Sequence, residues 1–365
     1  MENNQRQKAG DNSQQIQADV IVVNQGIDEK RAREIYMEMF NNARREFSEE
    51  SLETIQERII EFENDLIPKM EKIDGALQSF ADPCFQKLLQ DAHKTAAITD
   101  NKDDYAVLSE LLIRKIKKGN NRDATIGIRQ AIEIVNEIPD KALLGLTVEY
   151  AWSIITPTTG IISKGLDVLD NLFSKIISDN LPQGNEWMEQ LDILNAIRIT
   201  DFSNFKKMED YYLEQLDGYF SVGIEKDSEN YYKALDILKQ NNTASLLIEH
   251  EINEGFYRLA IPNKNQLKNT EINIFDTREN KIIKRKINDK EKESLEQVLQ
   301  LYNGTEELKN KIKNNLVNEI SKRENLTKVK KWIESIPKSF TITPIGKALA
   351  NANAQRIYPE FPPLD

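Results

Sequence analysis

Cysteine occurs once and histidine twice in the 365 residues of this chain. A lone Cys84 excludes an internal disulfide and a cysteine-based zinc site, and His93 with His250 is too small a set for a multi-histidine metal centre. The run His250-Glu251-Ile252-Asn253-Glu254 imitates the start of a zinc-protease helix, but Glu254 stands where the second histidine is needed. Cys84 and His93 fall on one expected helix, separated by about 13 Å of rise, too far for the ring to activate the thiol. Neither the phosphate loop ending in Gly-Lys-Ser/Thr nor the dinucleotide fingerprint is present. The sequence therefore offers no catalytic residue, no metal ligand set and no cofactor. Glu271 and Asp276 are an acidic pair of the kind a nuclease could use, but residues five apart on a strand face opposite ways.

Positive charge in excess is also lacking. A net charge of −11 argues against sequence-independent binding to nucleic acid or anionic lipid. Long apolar runs are missing too: the most hydrophobic window, Ala142 to Ile162, is interrupted by Glu149, Pro157 and the stretch Thr156 to Thr159. A buried helix pair is the expected outcome there, with a concealed membrane-active segment over 142–177 as the minority reading. The start MENNQRQKAG has no apolar secretory core, which places the expected location in the cytoplasm.

What the chain does have is a polar lead-in, QRQKAGDNSQQIQADVIVVNQG, running into the charged helix start IDEKRAREI. Ile16, Ala18, Val20 and Val22 fall on one side of an extended segment. A short strand without a partner of its own needs backbone pairing, and Gln/Asn-rich copies can satisfy one another in register, so these four residues are the expected oligomerisation site.

Helices dominate the rest. Asp28 is a good N-cap for a helix carrying Ile35, Met39 and Phe40 inward, and a heptad-like seam with a stutter follows at Leu52, Ile55, Ile59, Phe62, Leu66, Met70, Ile73, Leu77 and Phe80. That seam predicts a long helical hairpin or coiled coil. Shorter amphipathic helices are expected at Phe85–Ile98, Tyr105–Ile116, Ile126–Ile138, Leu166–Ile177 and Trp187–Ile199, joined by polar turns such as KKGNNRD. From Gly255 the pattern changes: GFYRLAIP reads as a strand and INIFDTRENKIIKRKI as a hairpin. Helices return from Glu291, then SFTIT reads as a strand, with Pro344 opening a final helix. The proline-rich tail YPEFPPLD is expected on the surface. Aromatic residues from Tyr211 to Tyr232 sit among carboxylates and are expected in packing. Basic residues from Lys281 to Lys331 alternate with glutamates, as on ordinary solvated helix faces.

The fold class expected is thus mainly α, with a short N-terminal β segment, a long helical hairpin and bundle, and a small C-terminal α+β part. The expected division is an oligomerisation segment at 1–26, a helical domain at 27–200, an α+β domain at 201–357 and a tail at 358–365.

The segments GDNSQQIQA, GIDEKRAREI and FADPCFQKLLQDAHKTA together resemble an uncharacterised group of bacterial proteins with a G-D-x-S-x-x-x-Q-A opening, a charged helix start and an F-x-D-P element. The resemblance covers roughly the first 140 residues and weakens to the closing TITPIGKALANAN. It implies no established activity and carries over no catalytic residue. Polar lead-ins of this kind also occur on abortive-infection proteins, so the function expected by analogy is a self-associating recognition protein of anti-phage defence. A homo-oligomer is the expected partner state, with a phage or host protein as the further partner. Nucleic acid and membrane are disfavoured. The alternatives carried forward are a metal-dependent nuclease with no site visible in sequence, and a latent membrane-disrupting effector.

Overall fold

The computed structural model describes residues 26–43, 47–119, 121–157, 159–200, 203–269, 271–276 and 281–364; the expected strand with Ile16, Ala18, Val20 and Val22 lies outside them. Within the described residues the chain is mainly α with a small β part.

The fold opens with α1 (Glu29–Ala43), α2 (Leu52–Glu71), α3 (Pro83–Ile98), α4 (Lys102–Lys118), α5 (Arg122–Ile134) and α6 (Asp140–Ile154). Side-chain caps fix several starts: Asp28 accepts from Arg31 N at 2.8 Å, Asp82 from Cys84 N ahead of Pro83, and Asn101 from Asp103 N. In α2 the seam is buried through Met70, but the helix stops at Glu71. Gly75 takes φ 73°, and a 3-10 segment, Ala76–Ala81, brings Phe80 back to the same core. This seam packs within the chain, against α1, α3 and α4. Every residue of α6 from Ala142 to Trp152 is buried, which marks it as a central helix. Among the described residues no helix is long and apolar enough to cross a membrane.

Next come α7 (Ile162–Ile176) and α8 (Glu186–Ile193). The helix expected to reach Ile199 ends early, because Asn195 adopts φ 60° and Ala196 N turns back to Leu191 O at 2.8 Å. Ile197–Thr200 is instead strand β1, paired antiparallel with Ser339–Ile342. After α9 (Met208–Gln215) and α10 (Asp217–Phe220), a smaller unit is built from β2 (Ile224–Glu225), α11 (Glu229–Gln240), β3 (Leu247–Glu249), β4 (Phe256–Leu259), β5 (Glu271–Asp276), β6 (Lys281–Lys286) and α12 (Asp289–Gln300). Its sheet runs β2-β4-β3, β5 and β6 form the expected hairpin, and Ile224, Leu238, Leu259, Leu295 and Val298 make a core of its own.

The chain then returns through α13 (Glu306–Ser321), α14 (Glu324–Ser335), β7 (Ser339–Ile342) and α15 (Pro344–Ile357). Helix α15 packs against α4, α5 and α6, so the principal core runs from Ala32 to Phe361. Its buried Ala348, Ala350, Ala352 and Ala354 keep the helix thin enough for that position, while Asn353 Nδ2 donates to Thr147 Oγ1 at 2.9 Å. Gly346 is required by sterics: a Cβ there would lie 2.0 Å from Ala196 O. The tail does not lie free on the surface, because Phe361 is only 1% exposed beside Tyr150 and Asn351 Nδ2 donates to Pro362 O at 2.9 Å. An aromatic ring within a proline-rich segment gained more by burial than the segment lost by docking.

Candidate functional site

Ile27, one residue into the described chain, is clamped at both backbone groups by the Gln78 side chain, at 3.1 and 3.2 Å. Ile27, just ahead of α1, is thereby tied to the 3-10 segment Ala76–Ala81.

Three groups with strongly displaced proton affinities are closed off from solvent. His93 on α3 is fully buried between Tyr36, Phe40 and Phe62, its ring centroid 4.3 Å from that of Tyr36, and neither ring nitrogen has a hydrogen-bond partner among the described residues. Burial pushes it down to about 3, so it is a neutral packing residue. His250 is held down to about 4, chiefly by burial, with Nε2 2.9 Å from Ser221 O. On α6, burial pushes the Glu149 carboxyl up to about 8, against a weaker opposing pull from Lys347, and its Oε2 has no hydrogen-bond partner among the described residues. Glu251 is a cap, not a base: its two carboxylate oxygens accept from Ile162 N at 2.9 Å and Ser163 N at 3.0 Å, at the start of α7. Glu271 and Asp276 stand across the hairpin from Lys286 and Lys281. Among the described residues no three of His, Cys, Asp and Glu converge in the manner of a metal site.

The basic residues of the last third are mostly tied to carboxylates, Lys309 to Glu306, Lys313 to Asp210, Lys328 to Glu324 and Lys330 to Glu209. Lys309 and Lys328 lie on solvated faces, whereas Lys330 meets the buried Glu209 across elements, their side chains 16% and 7% exposed.

A different surface stands open. The ends of α3, α4 and α5 enclose a cavity of about 660 Å³, lined by Cys84, Lys115, Arg122, Ile126, Arg129 and Gln130. The interior of α5 explains how these side chains come to face outward: Ile128, Ala131 and Ile132 are wholly buried, and Gly127 sits against Pro344, where a Cβ would meet Pro344 O at 3.0 Å. Arg122, Ile126 and Arg129 are spaced by four and three residues, so they form one stripe on the opposite face. Arg122 and Arg129 make no ion pair within the described residues, and Ile126 is 60% exposed between them. Lys115 is buried at the cavity wall, where its ammonium donates to Gly119 O and meets no carboxylate among the described residues. No described carboxylate lines the cavity. In a chain with net charge −11 this is a concentrated cationic surface.

A second cavity, of about 620 Å³, lies between the α7–α8 connection and α14, but it mixes Asp179 with Lys328 and Lys331, and the indole Nε1 of Trp332 is engaged by Pro182 O at 2.8 Å. Sequence reading missed the first cavity, because KKGNNRD looks like a polar turn and the basic character was assigned to the last third. The available signal was the density of cations: Lys115, Lys117, Lys118, Arg122 and Arg129 crowd one helix end and the next helix start.

Fold and site together define a mainly α protein with an open cationic concavity. Residues 26–364 match the model of an uncharacterised protein family, and the chain belongs to that family. The match extends well past the first 140 residues on which the quoted segments rest. No curated protein and no solved structure matches the chain.

Proposed function

We propose that the protein works by recognition and assembly rather than by turnover, as a self-associating bacterial protein of the cytoplasm acting in anti-phage defence. The observation that carries the first half of this reading is the separation of chemistry from access. His93, Glu149 and His250, whose proton affinities are strongly displaced, are buried in the cores, whereas among the described residues the open cavity displays cations without an acid–base pair. Cations alone bind well and catalyse proton transfer poorly. The assembly half rests on the lead-in, whose Ile16, Ala18, Val20 and Val22 would pair between copies, ahead of Ile27, which Gln78 ties to the body. The defence role rests on the likeness of that lead-in to those of abortive-infection proteins.

The test is the solution mass of the full chain, 42.1 kDa per copy, beside a chain beginning at Gly26. Light scattering is expected to show a defined oligomer that falls to monomer when the lead-in is removed. Equal masses for the two would remove the assembly role, and cleavage of DNA or RNA in the presence of Mg²⁺ or Mn²⁺ would remove the non-catalytic reading.

A further inference from the structure

We propose that the concavity between α3, α4 and α5 binds a small diphosphate-bearing ligand of nucleotide size, its phosphates held by Arg122 and Arg129 and its apolar or aromatic body laid on Ile126. This deepens the recognition reading above by naming what is recognised.

Among the described residues the charge around this cavity is unbalanced. An exposed arginine on a helix of an acidic protein ordinarily finds a carboxylate, as Arg31 does with Glu34 and Glu38, and as Arg33 does with Glu29 and Glu63. Arg122 and Arg129 have no such partner among the described residues, and they share their cavity with Lys115, a buried cation whose contact is a carbonyl oxygen. A buried charge without a counter-charge is costly, and an anion entering the cavity would offset that cost for Lys115 while pairing with the two exposed arginines. The planar guanidinium fork favours oxyanions that accept two hydrogen bonds together, which phosphate does with a high charge density.

Geometry then sets the size. The two arginines lie two turns apart, about 10 Å along the axis, and both reach one cavity, so they can close on a diphosphate from opposite ends. Between them Ile126, 60% exposed, offers an apolar platform that a purely ionic site would not need. A volume of about 660 Å³ falls within the range of small-molecule pockets and exceeds what inorganic phosphate alone would fill. The supporting helix is held from behind by Gly127 against Pro344, so the stripe is presented by a rigid element.

The position of the only cysteine provides a local reporter, since Cys84 is partly exposed and lines this same cavity. The experiment measures ADP, pyrophosphate and adenosine binding to the full chain by calorimetry, together with the rate of Cys84 alkylation in the presence of each. The expected result is saturable ADP binding, weaker binding of pyrophosphate and none of adenosine, with ADP slowing alkylation severalfold. Arg122→Gln with Arg129→Gln should weaken ADP at least tenfold, and because both side chains are exposed the melting temperature should stay unchanged. Lys328→Gln with Lys331→Gln, in the second cavity, should leave affinity unaltered. The proposal is overturned if neither ADP nor pyrophosphate binds saturably, if the arginine double variant binds as wild type does, or if bound ADP leaves Cys84 alkylation as fast as before. Release of orthophosphate from bound ADP would uphold the site while removing the non-catalytic reading, and an intact oligomer without ADP binding would remove only the ligand.

Discussion

The helical body and the small α+β unit are joined to the rest of the chain by different means. In the body the last helix, α15, is surrounded by α4, α5 and α6, with buried alanines and apolar partners supplying most of the contact. The small unit has a core of its own and meets the body through a joint of apolar side chains, Ile252 and Phe256, together with a set of buried polar bonds. At that joint Arg258, completely buried on β4, donates to Gly160 O at 3.0 Å, lies 3.5 Å from Glu251, and stacks its guanidinium 4.8 Å from the Tyr219 ring centre. Asn253 Nδ2 donates to Val222 O and Asn315 Nδ2 to Ile252 O. Apolar contact is strong and tolerant of small shifts, whereas a hydrogen-bonded buried cation accepts one orientation and is costly once any partner is lost. The body is therefore held by amount of apolar contact, and the unit by apolar contact at Ile252 and Phe256 plus the arrangement of its buried polar bonds.

The largest effect should follow from breaking the body. Gly346→Val would place a side chain where even a Cβ would lie 2.0 Å from Ala196 O, separating α15 from β1 and from the helices around it. A cost above about 3 kcal/mol is expected, since the nearest atom, Ala196 O, is backbone and cannot rotate away, and Ile342 Cγ2 crowds the same point. Thermal unfolding followed by tryptophan fluorescence should show the whole transition lowered or lost, and an unchanged midpoint would mean that α15 is not the closing element. Arg258→Met is the matching change in the joint. It leaves Gly160 O unpaired and removes the ion pair with Glu251, at a cost of about 3 kcal/mol. Hydrogen exchange should accelerate over 221–262 while α4, α6 and α15 stay protected. Equal acceleration in both regions would dissolve the distinction between body and unit.

The same contrast governs what could be read from the sequence. Elements with a local cause were legible: the Asp28 cap, the Pro344 start and the β5–β6 hairpin all follow from neighbouring residues. Elements decided by distant partners were not. Ile197–Thr200 has a helix-like pattern and becomes a strand because Ser339–Ile342 arrives to pair with it. The seam expected to run unbroken to Phe80 is interrupted after Glu71 by a turn at Gly75. Phe361 is buried by Tyr150, two hundred residues away in the chain. The basic concavity was hidden for the same reason, since Cys84, Lys115 and Arg129 come from three helices whose proximity no local pattern announces.

Proton affinities give the smallest and sharpest test, because two sealed groups of the body act in opposite directions. The Glu149 carboxyl is pushed up to about 8 by burial, so between pH 4.5 and 8 the unfolded chain releases a proton that the folded chain retains. Stability therefore falls as pH rises through that window, and the contribution is lost above it. His93, held down to about 3, does the reverse: below pH 6.5 the unfolded ring takes up a proton that the folded ring refuses, so stability falls as pH drops toward 3. Glu149→Gln should raise the melting temperature at pH 8 relative to its effect at pH 4.5, by about 1–3 kcal/mol of stability once relaxation around the carboxyl is allowed for. His93→Phe keeps the ring contacts with Tyr36 and Phe62 and should flatten the acid limb instead, leaving the alkaline limb as in wild type. Chemical denaturation at pH 4.5, 6 and 8 measures both. Variants whose stability shifts by the same amount at all three values would mean that neither group is closed off from water, and the separation of displaced proton affinity from access, on which the reading of this protein as a binder depends, would fall with it.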